Sequence, residues 1–411
     1  MVYKYTPREL LYIPVALLLF FQDYLQQSVG IMQFFDEFVT VFSLGLILME
    51  ALYKRLEKVH VKMLLLMGLL AGIGLISNMM AGIQTEIKPI LTDIGNTFKV
   101  FVTYIGASLY LKKVKCKDRI LKTVLPYFHG FVIIVFVCMI FHEVGVITMG
   151  TDVRYGLKSF KFVSTGAGNF SFLFYTIVLV LTLEMRTFPS EFKWAYIVMA
   201  LIVWTSTLRS RAIMYVFVYL MLYLIMIRQK IKLELNWRTG AVIIFILYLF
   251  SMDQIETYFF TKKTARAQLL QYGVHTMRRY FPLGAGFATY GTDAAVKYYS
   301  ALYHEYGFNS VWGLAQGNAL FAHDTYWPAI FGQLGFFGTG LMIYLIYTWC
   351  MDILNKSKGN KVGYFAAIFV VVTQVSSSIA TATFFHYITV GLCVWIPLLF
   401  DESTEKKRAK P

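Results

Sequence analysis

Apolar segments long enough to cross a lipid bilayer recur along this sequence. Of the 411 residues, 58% are hydrophobic and only 15% are charged, and the mean hydropathy is +0.60. A soluble domain carries roughly a quarter charged residues, so this composition excludes a soluble globular protein. A chain crossing a membrane must satisfy its backbone hydrogen bonds internally, and apolar segments of about 20 residues do so as helices. The sequence therefore predicts an all-α polytopic membrane protein.

The apolar segments predict about twelve transmembrane helices in a single integral membrane domain covering residues 1–411. The first segment is followed by "QDYLQQ" rather than a small-residue cleavage site, which predicts a retained helix and not a signal peptide. The predicted spans are 9–28, 38–53, 62–82, 89–111, 125–147, 169–185, 193–208, 212–227, 239–255, 326–350, 362–381 and 384–400.

Basic residues between the spans orient the bundle, because cytoplasmic loops carry an excess of Lys and Arg. Counting from a cytoplasmic N-terminus places five basic segments on the cytoplasmic side: "KRLEKVHVK", "LKKVKCKDRILK", "RQKIKLELNWR", "NKSKGNK" and "EKKRAKP". Both termini are then cytoplasmic. These loops account for the formal net charge of +15, so nucleic acid is not an expected partner.

Two of the outward-facing loops are long, at about 148–168 and 256–325. A loop of some seventy residues among tight connections is typical of a functional element. We therefore expect the large extracytoplasmic loop 256–325, between the ninth and tenth spans, to contribute to the functional site.

Arginines occur at predicted external turns, against the usual charge bias. "TSTLRSRAIMY" places Arg209 and Arg211 between two spans, and the long loop begins with a segment that contains Arg266. The planar guanidinium group binds phosphate in a bidentate manner and stays ionised. These residues are candidates for phosphate binding. The alternative is that they contact lipid headgroups at the interface.

His323 and Asp324 stand side by side at the end of the long loop, just before an apolar segment. A histidine there is a candidate general base, and the alternative is an interfacial hydrogen-bonded residue. No further His, Asp or Cys residues stand at metal-ligand spacing, so no metal site is expected. Aromatic residues nearby could anchor in headgroups or contact sugar faces; they are Tyr299, Tyr303, Tyr326 and Trp327.

Some charged residues fall inside the predicted spans, among them Asp93 and Lys99. Charged groups in a membrane are functional candidates. Asp93 and Lys99 are six residues apart, too far to be neighbours on one helix face, and so need partners on other helices. Coupling to protons or ions would indicate a transporter instead of an enzyme.

The late outer loop resembles that of the polysaccharide repeat-unit polymerases (Wzy type) and the related O-antigen ligases. The resemblance rests on "ARAQLL", "FPLGAGFATYG", "YSALYHEYG" and "HDTYWPAIFGQLGFFG", in this order. The "LRSRA" turn and the "FFDEFVTV" segment after the first span add to it. These motifs cover about a quarter of the chain.

This resemblance implies a metal-independent membrane glycosyltransferase of the polytopic (GT-C) type, without cofactors, that joins polyprenyl-diphosphate-linked oligosaccharides. Carried over by position, Arg211 and Arg266 hold the diphosphate with help from Arg209. His323 stands where the ligases have their proposed base. The ligases follow that histidine with Asn, whereas this chain has Asp324, a form more like the polymerases. Asp324 is therefore a second catalytic candidate, either as the base itself or as the residue that orients His323.

The resemblance also implies a setting and a set of partners. We expect a multi-pass protein of the bacterial cytoplasmic membrane, surrounded by membrane lipids, with a flippase and a chain-length regulator as candidate partners. Two alternatives to a polymerase are a glycan ligase of the same superfamily and a flippase for lipid-linked oligosaccharides. A flippase should have two similar halves, and no internal repeat is evident in the sequence.

Overall fold

A computed structural model of the chain describes residues 5–114, 116–150, 152–229 and 264–400. The described chain is mostly helical, with a single short β-hairpin. Four predicted features lie wholly or partly outside the described residues. They are the span 239–255, most of the basic segment 228–238, the start of the long loop and the C-terminal basic segment.

The helices follow one another with short connections until residue 229. They are α1 (Pro7–Phe20), α2 (Gln22–Ser28), α3 (Phe35–Leu52), α4 (Lys58–Ala81), α5 (Ile87–Lys112), α6 (Lys117–Glu143), α7 (Ala167–Thr187), α8 (Trp194–Ser206) and α9 (Ser210–Leu222). Strands β1 (Val153–Arg154) and β2 (Leu157–Lys158) pair antiparallel between α6 and α7. After residue 263 the helices are α10 (Ala265–Arg279), α11 (Asp293–Lys297), α12 (Ala301–Glu305), α13 (Tyr326–Ser357), α14 (Lys361–Ala380) and α15 (Tyr387–Trp395).

Seven helical segments of the described ranges are long and apolar enough to cross a membrane. They are Gly30–Leu52, Lys58–Ala81, Lys117–Glu143, Ala167–Thr187, Ser210–Arg228, Tyr326–Ser357 and Lys361–Ala380. Two shorter apolar helices, Trp194–Ser206 and Tyr387–Leu399, accompany them. The predicted class, a helical membrane protein with several spans, is confirmed; the number twelve stays a prediction.

Several helices begin at a side chain that satisfies their first backbone N–H groups. Thr6 and Glu9 form a reciprocal capping box at the start of α1. The hydroxyl of Thr264 caps α10, and the side chain of Asn360 caps α14. Such caps each stabilise a helix by about 1 kcal/mol, so these polar residues fix the positions at which the helices start.

Helices α3 and α5 lie side by side and run in the same direction. The Lys99 Nζ lies 2.8 Å from Asp36 Oδ2, and the hydroxyls of Thr40 and Thr103 are 3.1 Å apart. Both pairs join residues that are 63 positions apart, as equal steps along two parallel helices require. The partner predicted for Lys99 on another helix is therefore Asp36.

The other charged residue of this predicted span also has its partners outside its own helix. The Asp93 carboxylate accepts hydrogen bonds from the backbone N–H of Ala288 and from the side-chain amide of Gln333, at 2.6 Å in the latter case. The two buried charged groups of α5, Asp93 and Lys99, therefore connect the helix to other parts of the fold. They do not face lipid.

The described part of the long loop, 264–325, has a hydrophobic core of its own. Leu269, Tyr290, Tyr303, Phe308 and Leu314 are buried there. Helix α10 packs along α13, which begins where the loop ends. The loop is therefore a packed unit on the bundle and not a loose connection.

The glycine-rich part of this loop enters a break in helix α13. At Gly335 the backbone has φ 61° and ψ −155°, which interrupts the helix. The carbonyls of Gly332 and Gln333, near the break, accept hydrogen bonds from the N–H groups of Ala285 and Gly286, at 2.8 and 2.9 Å. Irregular backbone in a membrane protein needs such partners. The glycines of "PLGAGF" therefore have the structural role that tight backbone geometry predicts.

We expect Gly335→Ala to lower the free energy of unfolding by about 3 kcal/mol or more, because the backbone conformation is one that only glycine adopts readily and the added methyl group has no room. A Cβ atom at this position would lie 2.3 Å from the backbone nitrogen of Gly284. Gly340→Ala is the matched control in the same helix, since its Cβ would meet nothing within 4 Å. Thermal unfolding of both purified variants in detergent measures the difference, and equal melting temperatures would contradict the prediction.

Candidate functional site

A cavity of about 410 Å³ lies among the ends of several elements of the fold. Its lining comes from the β-hairpin, the turn between α8 and α9, the start of α10, the end of the long loop and the end of α14. The lining residues are Asp152, Arg154, Arg209, Ser210, Arg211, Arg266, Phe321 and Ala380. The three arginines predicted to bind diphosphate therefore line one cavity.

The tight turn between α8 and α9 places two of these arginines. Leu208 has a positive φ of 50°, which turns the chain sharply, and Arg209 is the first residue before the α9 helix. Arg209 Nη2 lies 2.8 Å from Asp152 Oδ2 next to the hairpin. Arg211 Nη1 donates a hydrogen bond of 2.8 Å to the Thr381 hydroxyl, and its guanidinium lies over the Phe172 ring.

The start of α10 places the third arginine. Arg266 stands in the first turn of this helix, two residues after the capping Thr264. Its Nε and Nη2 atoms both donate hydrogen bonds to Asp324 Oδ2, the first at 2.9 Å. Asp324 is therefore an ion-pair partner of Arg266 rather than of its neighbour His323.

The charge balance of the cavity favours an anionic ligand. Four guanidinium groups and the Asp152 carboxylate are among its described lining residues, and Asp324 pairs with one of those guanidinium groups, that of Arg266. Positive side chains therefore outnumber negative ones in the described lining. Guanidinium groups in fixed positions bind phosphate oxygens strongly, since each offers a planar pair of donors.

His323 lies beside the cavity-lining residues in the sequence but does not line the cavity itself. Its side chain is 42% exposed, and its Nε2 atom is 3.6 Å from Asp293 Oδ1. Its Nδ1 atom is buried and has no hydrogen-bond partner among the described residues. The role of this imidazole as a general base stays a prediction.

Three of the tyrosines predicted to contact sugars have their rings packed in hydrophobic cores, and their contact with a glycan stays a prediction. Tyr303 and Tyr326 are fully buried, and Tyr299 is 6% exposed. Burial raises the pKa of the Tyr299 and Tyr303 hydroxyls, and these groups bond the backbone at Leu314 and Gly291.

Trp327, the fourth aromatic residue of that prediction, is only partly buried. Its indole Nε1 donates a hydrogen bond of 3.2 Å to the Ser378 hydroxyl of α14. The indole packs against the main hydrophobic core. Its contact with a glycan stays a prediction.

Two charged residues of the cavity, Arg154 and Asp152, were not among the predicted site residues. They come from the other long outer loop, 148–168, which the sequence marks by its length alone. The presence of an arginine in that loop was the one sequence feature that could have marked Arg154 as a site residue. Its approach to the α8–α9 turn depends on the path of the hairpin, for which the sequence contains no pattern.

Within the described ranges, no group of three or more His, Cys, Asp or Glu side chains is placed to hold a metal ion. The four cysteines are free thiols, two of them buried and two partly buried. The described lining of the cavity supplies guanidinium, carboxylate and hydroxyl groups.

Comparison with known proteins gives no family for this chain. No protein-family model matches the sequence, and no curated protein matches it. Fold and cavity together define a class: a helical membrane protein with a cavity lined by arginines. Its assignment to a particular activity is a proposal.

Proposed function

We propose that this protein is a polysaccharide polymerase that joins polyprenyl-diphosphate-linked oligosaccharide repeat units of a capsule, exopolysaccharide or O-antigen. The observation that carries the proposal is the cavity that brings Arg211 and Arg266 together with Arg209 and Arg154. A diphosphate is the anion that suits several guanidinium groups around a volume of about 410 Å³.

The proposed setting is the bacterial cytoplasmic membrane, with twelve spans, cytoplasmic termini and the cavity at the outer face. This setting is supported by an agreement: the segments that the Lys and Arg bias predicts at the outer face are also the segments that line the cavity. The cavity-lining residues come from five segments that the charge bias predicts outside, at 152–154, 209–211, 266, 321 and 380. An error in the number of spans between them would place some of these segments on the opposite side of the membrane.

In the proposed reaction, the growing glycan is transferred from its lipid diphosphate to a hydroxyl at the non-reducing end of a new repeat unit. The bond between the anomeric carbon and the phosphate oxygen breaks, and a bond from that carbon to the acceptor oxygen forms. The lipid diphosphate leaves with the electron pair of the broken bond. Arg211 and Arg266 stabilise the negative charge that grows on this leaving group, which lowers the barrier.

The acceptor hydroxyl loses its proton during this step, and His323 is the better candidate to receive it. The Asp324 carboxylate is held by two nitrogens of Arg266, so it is engaged in positioning that guanidinium. His323 has an unpartnered Nδ1 atom and Asp293 near its Nε2 atom. In this arrangement Asp293 stabilises the imidazolium, and Asp324 positions Arg266.

The test is the size distribution of lipid-linked and surface glycan in a strain that lacks the gene, with and without the wild-type copy. We expect single repeat units at the outer face without the gene and a ladder of longer chains with it. Full-length polymer retained on its lipid carrier would indicate a ligase. Repeat units trapped on the cytoplasmic side would indicate a flippase, and either result would overturn the proposal.

A further inference from the structure

We infer that Trp312 and Phe321 form a carbohydrate-contact surface at the mouth of the arginine-lined cavity. The inference rests on the proposed function and adds to it the place where the sugar part of the substrate binds. It replaces the buried tyrosines as the aromatic contact for glycan.

The first observation is that Trp312 exposes a large apolar side chain in the long loop. The residue is 72% exposed, whereas the tyrosines Tyr290 and Tyr303 of the same loop are fully buried. An indole ring in contact with water loses the free energy that burial would provide. Phe281 and Tyr298 of this loop are also exposed, at 67% and 38%, and Trp312 is the most exposed of its described aromatic residues.

The second observation is that this ring is continuous with the cavity wall. The ring centroids of Trp312 and Phe321 are 5.2 Å apart, with an angle of 61° between the planes. Phe321 lines the cavity together with Arg211 and Arg266. The two rings therefore extend from the arginines to the exposed surface.

The third observation is that the backbone holds the two rings in place. Gly313 has φ +81°, and a Cβ atom there would lie 2.3 Å from the Phe321 ring. The N–H of Phe321 donates a hydrogen bond of 2.9 Å to the carbonyl of Gly313, and Ala315 and Asn318 form a bridge between them. The loop from 313 to 321 is thus closed on itself, and the aromatic pair is fixed before a ligand arrives, which limits the entropy lost on binding.

Charge and shape together identify the ligand. A sugar attached to a diphosphate lies directly beside the phosphate oxygens, so arginines that hold the diphosphate place the sugar at the mouth of the cavity. The C–H face of a pyranose ring is apolar and slightly positive, and it packs on the negative face of an aromatic ring. Trp312 therefore takes the first sugars of the lipid-linked oligosaccharide, while Phe321 contacts the region near the phosphates.

The test measures glycan binding directly. The probe is a set of short oligosaccharides released by partial hydrolysis from the surface polysaccharide of the cells that carry this protein, titrated into the purified full-length chain in detergent. We expect Trp312→Ala to weaken binding about tenfold, which corresponds to ~1.4 kcal/mol. Trp312→Phe keeps an aromatic face and should stay within about threefold of the wild type.

Trp194→Ala is the matched control, since Trp194 is also exposed, at 42%, and contacts Phe192 and Tyr223 far from the cavity-lining residues. We expect this variant to bind like the wild type. Equal binding by Trp312→Ala and wild type would overturn the inference, as would an absence of binding by the wild type. A loss of membrane insertion with unchanged binding would make Trp312 an interfacial anchor and overturn it as well.

The glycan ladder separates this inference from the proposed function. Binding that depends on Trp312, in a protein that does not restore the ladder, would leave the carbohydrate surface standing and overturn the polymerase. If the protein restores the ladder but the Trp312→Ala variant binds glycan as the wild type does, the polymerase proposal would stand and the carbohydrate surface would be overturned.

Discussion

Arg266→Ala will stop the growth of glycan chains while the protein still reaches the membrane. In the proposed reaction the guanidinium stabilises charge that appears only as the diphosphate leaves, and removal of one such donor lowers rates by about 10²–10³-fold. Folding should change little, because the Asp324 side chain left behind is 29% exposed and accessible to water. The measurement is the glycan ladder of the complemented deletion strain, with the amount of protein in the membrane fraction determined in parallel. Arg211→Ala should give the same result, since both residues line the cavity.

The control for this prediction stands in the same helix. Arg279 is 42% exposed, forms an ion pair with Glu305 and does not line the cavity. Arg279→Ala should leave the ladder unchanged. Arg266→Lys tests the geometry, because lysine keeps the charge but loses the planar pair of donors, and we expect chain growth to remain strongly reduced. Normal chain length in Arg266→Ala would contradict the assignment of this residue to the diphosphate.

Lys99→Met will lower the free energy of unfolding by about 3–5 kcal/mol, because it leaves a buried carboxylate without its cation. The pair joins α3 to α5, with Lys99 and Asp36 exposed by only 8% and 1%. Gln22 also donates a hydrogen bond of 2.9 Å to the Asp36 carboxylate, and one amide cannot replace the lost charge. Thermal unfolding of the purified variant in detergent measures the effect.

Two variants separate the buried charge from the loss of a side chain. Lys112→Met is the matched substitution at the end of the same helix, where the pair with Glu57 has side chains 40% and 25% exposed, so the loss should stay below about 1 kcal/mol. The double variant Asp36→Asn with Lys99→Met removes both charges and should recover most of the stability. A single Lys99→Met variant as stable as Lys112→Met would show that the ion pair contributes little.

The pairing of Lys99 in α5 illustrates how far sequence reasoning extends. Its spacing from Asp93 indicates that each needs a partner on another helix, and both have one, but the identity of Asp36 and Gln333 follows only from the packing of the helices. The same holds for the cavity. The arginines of "LRSRA" and "ARAQLL" are recognisable by their external position, whereas Arg154 joins them through the path of a short hairpin.

The aromatic residues show the opposite case, in which sequence reasoning fails. "YYSALYHEYGFNSVWG" contains several aromatic residues in a short stretch, and nothing in the local pattern separates Tyr303, which is fully buried, from Trp312, which is 72% exposed. The two residues differ in exposure because the loop folds around a hydrophobic core of its own. Which rings are buried in that core depends on contacts between residues that are far apart in the chain.

The sequence by itself determined the class of this protein, a helical membrane protein with several spans, because membrane insertion depends on the apolar length of each segment taken singly. It also indicated tight backbone at the glycines of "FPLGAGFATYG", and it singled out three arginines of the cavity. Only the tertiary structure decided that the glycine-rich loop enters a break in α13, that Asp324 pairs with Arg266, and that the Trp312 ring packs against Phe321 of the cavity wall. These features depend on contacts between distant segments, and the geometry of such contacts is set by helix packing and loop paths rather than by any local pattern.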